Sequence, residues 1–275
     1  MSGYPERMSQ PSHNAPGRVG AFFDLDQTLV RGASTWFVVR TLVRHVHVDP
    51  GTVLFALRRT FSYDLFGEGR GASHMDTVVR RAACAVAGQD EDRMRSLVEE
   101  VWQTSLAPRL YARSVERLRH HVDLGHEVWI VTASPWLVAE CAAAHLGATG
   151  GRGTRLRVVD HRITADLEGH VVHGGRKAEA VAQIAADRGI DLARSWAYSD
   201  SCQDTPLLES VGHPVAVNAD RHLRRTARAR GWERLTSRTR ADATRSHLLQ
   251  VGATLVACVG AAGLVTLVLT ALPLR

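Results

Sequence analysis

The sequence predicts an α/β protein built on a doubly wound parallel sheet. Short apolar runs ending in polar residues recur along the chain, and helix-period sequence separates them. With 45% of its 275 residues hydrophobic, the chain can bury one good core and a smaller appended unit. The layout is Rossmann-like, and two segments depart from it: an inserted α-helical cap and a C-terminal transmembrane helix.

Taken in order, residues 1–18 contain three Pro, two Gly and three Ser and no apolar run, which predicts a disordered leader without a secretory signal. The strands are expected at Val19–Asp24 (VGAFFD), His126–Thr132 (HEVWIVT), Trp196–Asp200 (WAYSD) and Pro214–Asn218 (PVAVN). Residues 19–31 and 123–235 then form the core. Residues 32–122 interrupt the alternation with helix-patterned sequence at Thr35–Val46, Thr52–Leu65, Met75–Ala87 and Asp90–Thr104, and read as the cap.

Residues 236–246 read as a basic juxtamembrane linker and 247–272 as the transmembrane helix. Leu248 to Leu272 is 25 residues without a charge, about 37 Å as a helix, enough to cross a bilayer. The charge distribution gives its orientation. The net charge is +6, but Arg221 to Arg245 holds nine arginines against Glu233 and Asp242, so the rest of the chain is close to neutral. A uniformly basic nucleic-acid-binding domain is excluded, and no nucleic-acid partner is expected. Arginines immediately before the span, with only Arg275 after it, predict a single-pass membrane protein whose large N-terminal part faces the cytoplasm. Gly252, Gly260 and Gly263 would allow close packing of two such helices in a homodimer. The four cysteines (84, 141, 202, 258) form no CxxC pair, and no His spacing among the fourteen histidines suits zinc.

The chemistry is sought at the carboxyl ends of the strands. Asp24-Leu25-Asp26-Gln27-Thr28 places two carboxylates where the chain leaves the first strand. Such a pair can divide labour, Asp24 attacking an electrophile and Asp26 protonating the leaving oxygen. DxDxT alone is too common to decide. Thr132 opens the loop Thr132-Ala133-Ser134-Pro135 before a helix, a place where hydroxyl and backbone N–H groups bind phosphate oxygens. Of 34 basic side chains 33 are arginine, and Lys177 is the exception. Its retention after Gly174-Gly175-Arg176 points to a site that needs a compact charge instead of a planar fork. Asp200-Ser201-Cys202-Gln203-Asp204 adds two carboxylates, and Asp24, Asp200 and Asp204 together offer the oxygen ligands that suit Mg²⁺.

These motifs, FFDLDQT, VTASP, GGRKAEAV and YSDSCQDTPLLE, in that order, resemble those of the haloacid dehalogenase (HAD) superfamily, and within it the phosphoserine-phosphatase-like subclass with a helical cap. The similarity runs from about Val19 to Trp232. It implies an Mg²⁺-dependent phosphomonoester hydrolase in which Asp24 forms an aspartyl-phosphate and Asp26 is the general acid and base. Thr132, Ala133 and Lys177 would bind the phosphate. Asp24, the carbonyl of Asp26 and Asp200 would hold the metal, with Asp204 acting through water.

The resemblance departs in one place. Where phosphoserine phosphatases carry a glutamate for the substrate ammonium, this chain has Ala33, followed by Ser34 and Thr35. Arg81 matches a cap arginine that holds a substrate carboxylate, or is an ordinary solvated cation. The expected substrate is a small-metabolite or lipid phosphate. Trp36, Phe37, Phe55, Phe61 and Phe66 would face either the cap core or the bilayer. The alternative is a membrane-attached regulatory protein that uses the fold as a binding module.

Overall fold

The computed structural model describes residues 17–45, 79, 80, 83, 84 and 86–237. Arg81, the helices expected at Thr52–Leu65 and through most of Met75–Ala87, the first sixteen residues, and the anchor with nearly all of its basic linker lie outside the described residues. Among the described residues no helix is long and apolar enough to cross a membrane.

Six parallel strands form the sheet. They are β1 (Gly20–Phe23), β2 (Glu127–Pro135), β3 (Gly150–Thr154), β6 (Trp196–Ser199), β7 (His213–Val217) and β8 (Glu233–Leu235), in the spatial order β3-β2-β1-β6-β7-β8. The order reverses direction at β1, so the first strand lies centrally with β2 on one side and β6 on the other. All four residues of β1 are buried, because helices cover both faces. Ala21 and Phe23 enter one core with Val128, Ile130 and Tyr198, while Phe22 enters the other with Val181, Ile184 and Leu207. The alternation of side chains across the pleat thus divides the molecule into two apolar layers.

The helices are α1 (Ser34–His45), α2 (Glu91–Val101), α3 (Ala112–Asp123), α4 (Trp136–Leu146), α5 (Gly175–Arg188), α6 (Thr205–Glu209) and α7 (Arg221–Arg230). Helices α1 and α2 fall in the segment read as the cap. Asp90 is not the first helical residue of α2 but its N-cap, its carboxylate accepting the Arg93 amide at 3.0 Å. The helix predicted to run on to Thr104 ends at Val101, where a π-helical turn, Trp102–Leu106, takes over.

Four strands escaped the apolar-run criterion. β3 reads GGRGT and has no apolar side chain to signal it. Its glycines answer to packing: a Cβ on Gly151 would stand 2.3 Å from the Ala139 carbonyl, so α4 could not lie so close to the sheet. The other unpredicted elements are β8 and the antiparallel hairpin of β4 (Leu156–Val159) and β5 (Arg162–Leu167), turned at Asp160 and His161, both with positive φ.

The ends of the core also differ from expectation. Arg18, assigned to the leader, bridges to Ile190, and its guanidinium lies 2.5 Å from Glu127. Thr236 and Ser237, assigned to the linker, pack on α3: Ser237 is buried and its hydroxyl accepts the Ser114 amide at 3.2 Å. Apolar periodicity could not register these contacts, because polar atoms make them.

Candidate active site

The carboxyl ends of β1, β2 and β6 and the first turn of α5 meet at one edge of the sheet. Asp24 follows β1 directly, and its amide donates to the Tyr198 carbonyl at 2.9 Å, so β6 holds the turn in place. The next residues close a tight loop in which Gln27 adopts φ 59° and its N–H donates to Val30 at 2.7 Å. Asn218, itself at φ 48°, donates from Nδ2 to the Gln27 carbonyl at 3.0 Å. Two non-glycine residues in the left-handed region, bonded to each other beside the site, locate strain that the surrounding fold maintains.

Lys177 reaches this edge because of the turn before it. Gly174 has φ 56° and ψ −129°, a conformation essentially restricted to glycine, and starts α5 so that Lys177, the third residue of the helix, faces inward. The buried Lys177 ammonium lies 2.6 Å from Asp24 Oδ1 and 2.7 Å from Asp204 Oδ2. Ser199 donates to that same Asp204 oxygen at 2.6 Å. Asp24 is 5% exposed, and burial pushes its pKa up to about 7; Lys177 pulls it back, and the Asp204 and Asp26 carboxylates raise it further. Burial works against the Lys177 ammonium, yet Asp204 and Asp24 outweigh it and hold the ammonium above the ordinary lysine range.

Asp26 occupies a separate niche. Its Oδ1 accepts the backbone N–H of Ser34, the first residue of α1, at 2.7 Å, and its Oδ2 accepts the Ser134 hydroxyl at 3.0 Å. The carboxylate thus sits at a helix N-terminus, where free amides and the helix dipole favour negative charge. Ser34 and Ser134 are 2.7 Å apart through their hydroxyls, and Thr35 lies 3.0 Å from Ser134. Burial still raises the Asp26 pKa, and the bonds from Ser34 and Ser134 lower it in part. The sequence placed a loop at Thr132–Pro135, but β2 runs on to Pro135. The end of this strand that supplies Ser134 also supplies Thr132, buried, whose Oγ1 accepts the Ser134 amide at 3.2 Å, and Ala133, whose carbonyl accepts from Thr154 at 2.8 Å.

Asp200 ends β6, and its carbonyl accepts the Asp220 amide at 2.9 Å. Asp220 in turn accepts the Cys202 amide at 2.7 Å, which fixes the loop carrying Asp204. The carboxylates of Asp24, Asp200 and Asp204 are hard oxygen donors that fit Mg²⁺, and the repulsion of Asp24 by Asp204 is the kind a cation would relieve. Among the described residues, the triad of His, Cys, Asp or Glu whose donor atoms come within 4.8 Å of one another lies elsewhere. Here Lys177 bonds two of the aspartates.

The structure thus gathers Asp24, Lys177 and Asp204, and sets Asp26 on the turn after β1 and Thr132 and Ala133 at the end of β2. Sequence reading missed the polar residues that hold them: Ser34, Ser134, Ser199, Asn218 and Asp220. Ser134 and Ser199 stood inside the quoted motifs, two residues after Thr132 and one before Asp200. Their role depends on which oxygen they face, and spacing does not encode that.

A family model described as haloacid dehalogenase-like hydrolase matches residues 21–209. The chain belongs to that family, and is a phosphatase within it. It is 37% identical over 213 residues to phosphoserine phosphatase SerB1 of Mycobacterium tuberculosis, covering 78% of this chain and 69% of that protein. It is 36% identical over 224 residues to the "inhibition of morphological differentiation protein" of Streptomyces azureus, covering 80% and 79%. A solved structure of a Bordetella pertussis protein of unknown function superposes with a TM-score of 0.70 at 27% identity, over 81% of this chain and 100% of that one.

Proposed function

We propose that the chain is an Mg²⁺-dependent phosphomonoesterase that works through an aspartyl-phosphate on Asp24. The observation that carries this is the Lys177 ammonium held between Asp24 and Asp204, with the separately held Asp26 two residues from Asp24. Asp24 attacks phosphorus as the carboxylate while the bond from phosphorus to the ester oxygen breaks, and Asp26 gives that oxygen its proton. Asp26, now ionised, takes a proton from water as the water attacks the phosphoryl group, and Asp24 is released. Lys177, Thr132 and Ala133 orient the phosphoryl oxygens. Asp24, Asp200, Asp204 and the Asp26 carbonyl would hold Mg²⁺, which supplies neutralisation of charge on the transferring group.

The substrate in this reading is a small-metabolite or lipid phosphate, and the chain is tethered by 247–272 with this domain on the cytoplasmic side. The uncharged stretch and the arginines before it support the tether. Ala33 argues against an amino-acid ammonium in the substrate, and Arg81 is offered as a cap contact to an anionic group. Turnover of sugar, amino-acid, nucleotide and lipid phosphates with Mg²⁺ tests the proposal. Folded protein inactive on every class overturns it, and equal rates on soluble and lipid esters, with and without residues 246–275, remove the lipid part. The name of the Streptomyces relative favours a second reading, a membrane-attached regulatory protein. A cellular effect that survives Asp24→Asn would support that reading.

A further inference from the structure

Away from the active site, α2 and α4 bring three unlike donors together. Cys141 and His145 lie four residues apart on one face of α4, and Glu99 faces them from α2. Their donor atoms all lie within 4.8 Å of one another. His145 Nε2 stands 2.8 and 2.9 Å from the two Glu99 oxygens, and Cys141 Sγ donates to Glu99 Oε2 at 3.5 Å. Two of the three donors are positioned from outside the group. The Trp102 ring stacks on His145 with centroids 5.2 Å apart and 11° between planes, and Gln103 donates to Glu99 Oε1 at 3.0 Å. Trp102 comes from the π-helical turn that ends α2, a departure often found at functional sites. The nearby cation Arg95 is occupied by Glu140 and Glu91.

We propose that Glu99, Cys141 and His145 form a transition-metal site, of the Zn²⁺ class, joining the cap segment to the core. Thiolate, imidazole and carboxylate are the donor types zinc takes, at about 2.0 to 2.3 Å, and a water completes four ligands. Binding releases the Cys141 thiol proton to solvent and moves the His145 ring proton to Nδ1, so that Nε2 and Sγ face the ion. The ion then ties α2 to α4, the helix that follows the Thr132–Ser134 end of β2. The reading CxxC or HxxxH would find does not apply, since one ligand comes from a separate helix.

Co²⁺ titration of the full chain in excess Mg²⁺, which occupies the oxygen site, tests the proposal. One Co²⁺ per chain with a thiolate-to-metal charge-transfer band, displaced by Zn²⁺, is expected. Cys141→Ser abolishes the band, whereas Cys84→Ser, Cys202→Ser and Cys258→Ser retain it. His145→Ala and Glu99→Gln weaken binding at least about tenfold and keep the basal phosphatase rate, so the result stands even if Cys141→Ser fails to fold. Absence of the band, or its loss with another cysteine, overturns the site and leaves a plain hydrogen-bonded triad.

Discussion

Lys177 Nζ lies 2.6 Å from Asp24 Oδ1, buried, with Asp204 on its other side. One ammonium therefore holds two carboxylates from separate motifs in register. Lys177→Met leaves both unpaired in a dry site and is expected to destabilise the chain by about 3 kcal/mol in urea denaturation. Loss of a charge aimed at the phosphoryl oxygens lowers kcat by on the order of 10²- to 10³-fold. Lys177→Arg restores charge but not shape and recovers little of either.

Asp24→Asn separates catalysis from stability. Turnover falls by on the order of 10⁴-fold, since the nucleophile is gone. The folded chain holds the Asp24 proton up to about pH 7, against an ordinary carboxylate value of 3.8. Its contribution to stability is therefore full below about pH 4 and is lost as pH rises through 7. In metal-free buffer the variant should lack this decline, so its urea midpoint exceeds that of the wild type at pH 8. A wild-type midpoint that does not fall over this range relative to the variant contradicts the assignment.

The Ser134 hydroxyl lowers the Asp26 pKa by donating to it. Ser134→Ala removes that bond, so the alkaline limb of kcat/KM, which reports the general acid, moves to higher pH. The maximal rate falls about tenfold as Asp26 loses its orientation. A pH–rate profile with both limbs unmoved would count against Asp26 as the acid.

Beneath β1, His121 Nε2 lies 2.7 Å from the Tyr198 hydroxyl and its Nδ1 is 2.9 Å from His126. Burial holds its pKa down to about 4, with His126, His120 and Arg117 adding to the effect. Its contribution to stability is complete above the ordinary value of 6.5 and is lost as pH falls toward 4. Tyr198→Phe, which leaves a buried ring nitrogen without this partner, should cost about 1 kcal/mol at neutral pH by thermal denaturation.

Gly151→Ala should destabilise by about 2 kcal/mol, since the new methyl group meets the Ala139 backbone 2.3 Å away and neither element can yield alone. Retention of full stability would mean that α4 moves off β3 at little cost.

The sequence by itself determined the sheet's central strands and the family's four motifs, because a strand buried on both faces must be apolar and a reacting carboxylate must stand where that run ends. Asp24 and Asp200 were singled out for that reason, and Lys177 because one lysine among thirty-three arginines is a compositional exception; the structure joins Lys177 to Asp24 and Asp204. Tertiary structure decided what periodicity cannot carry. β3 is a strand of glycines whose identity answers to the distance of α4. The Ser34 amide and the Ser134 hydroxyl, a hundred residues apart, converge on one Asp26 side chain. Glu99 meets Cys141 and His145 because α2 packs on α4. In each case the determinant is a distance between groups on different elements, and only the folded packing sets such a distance.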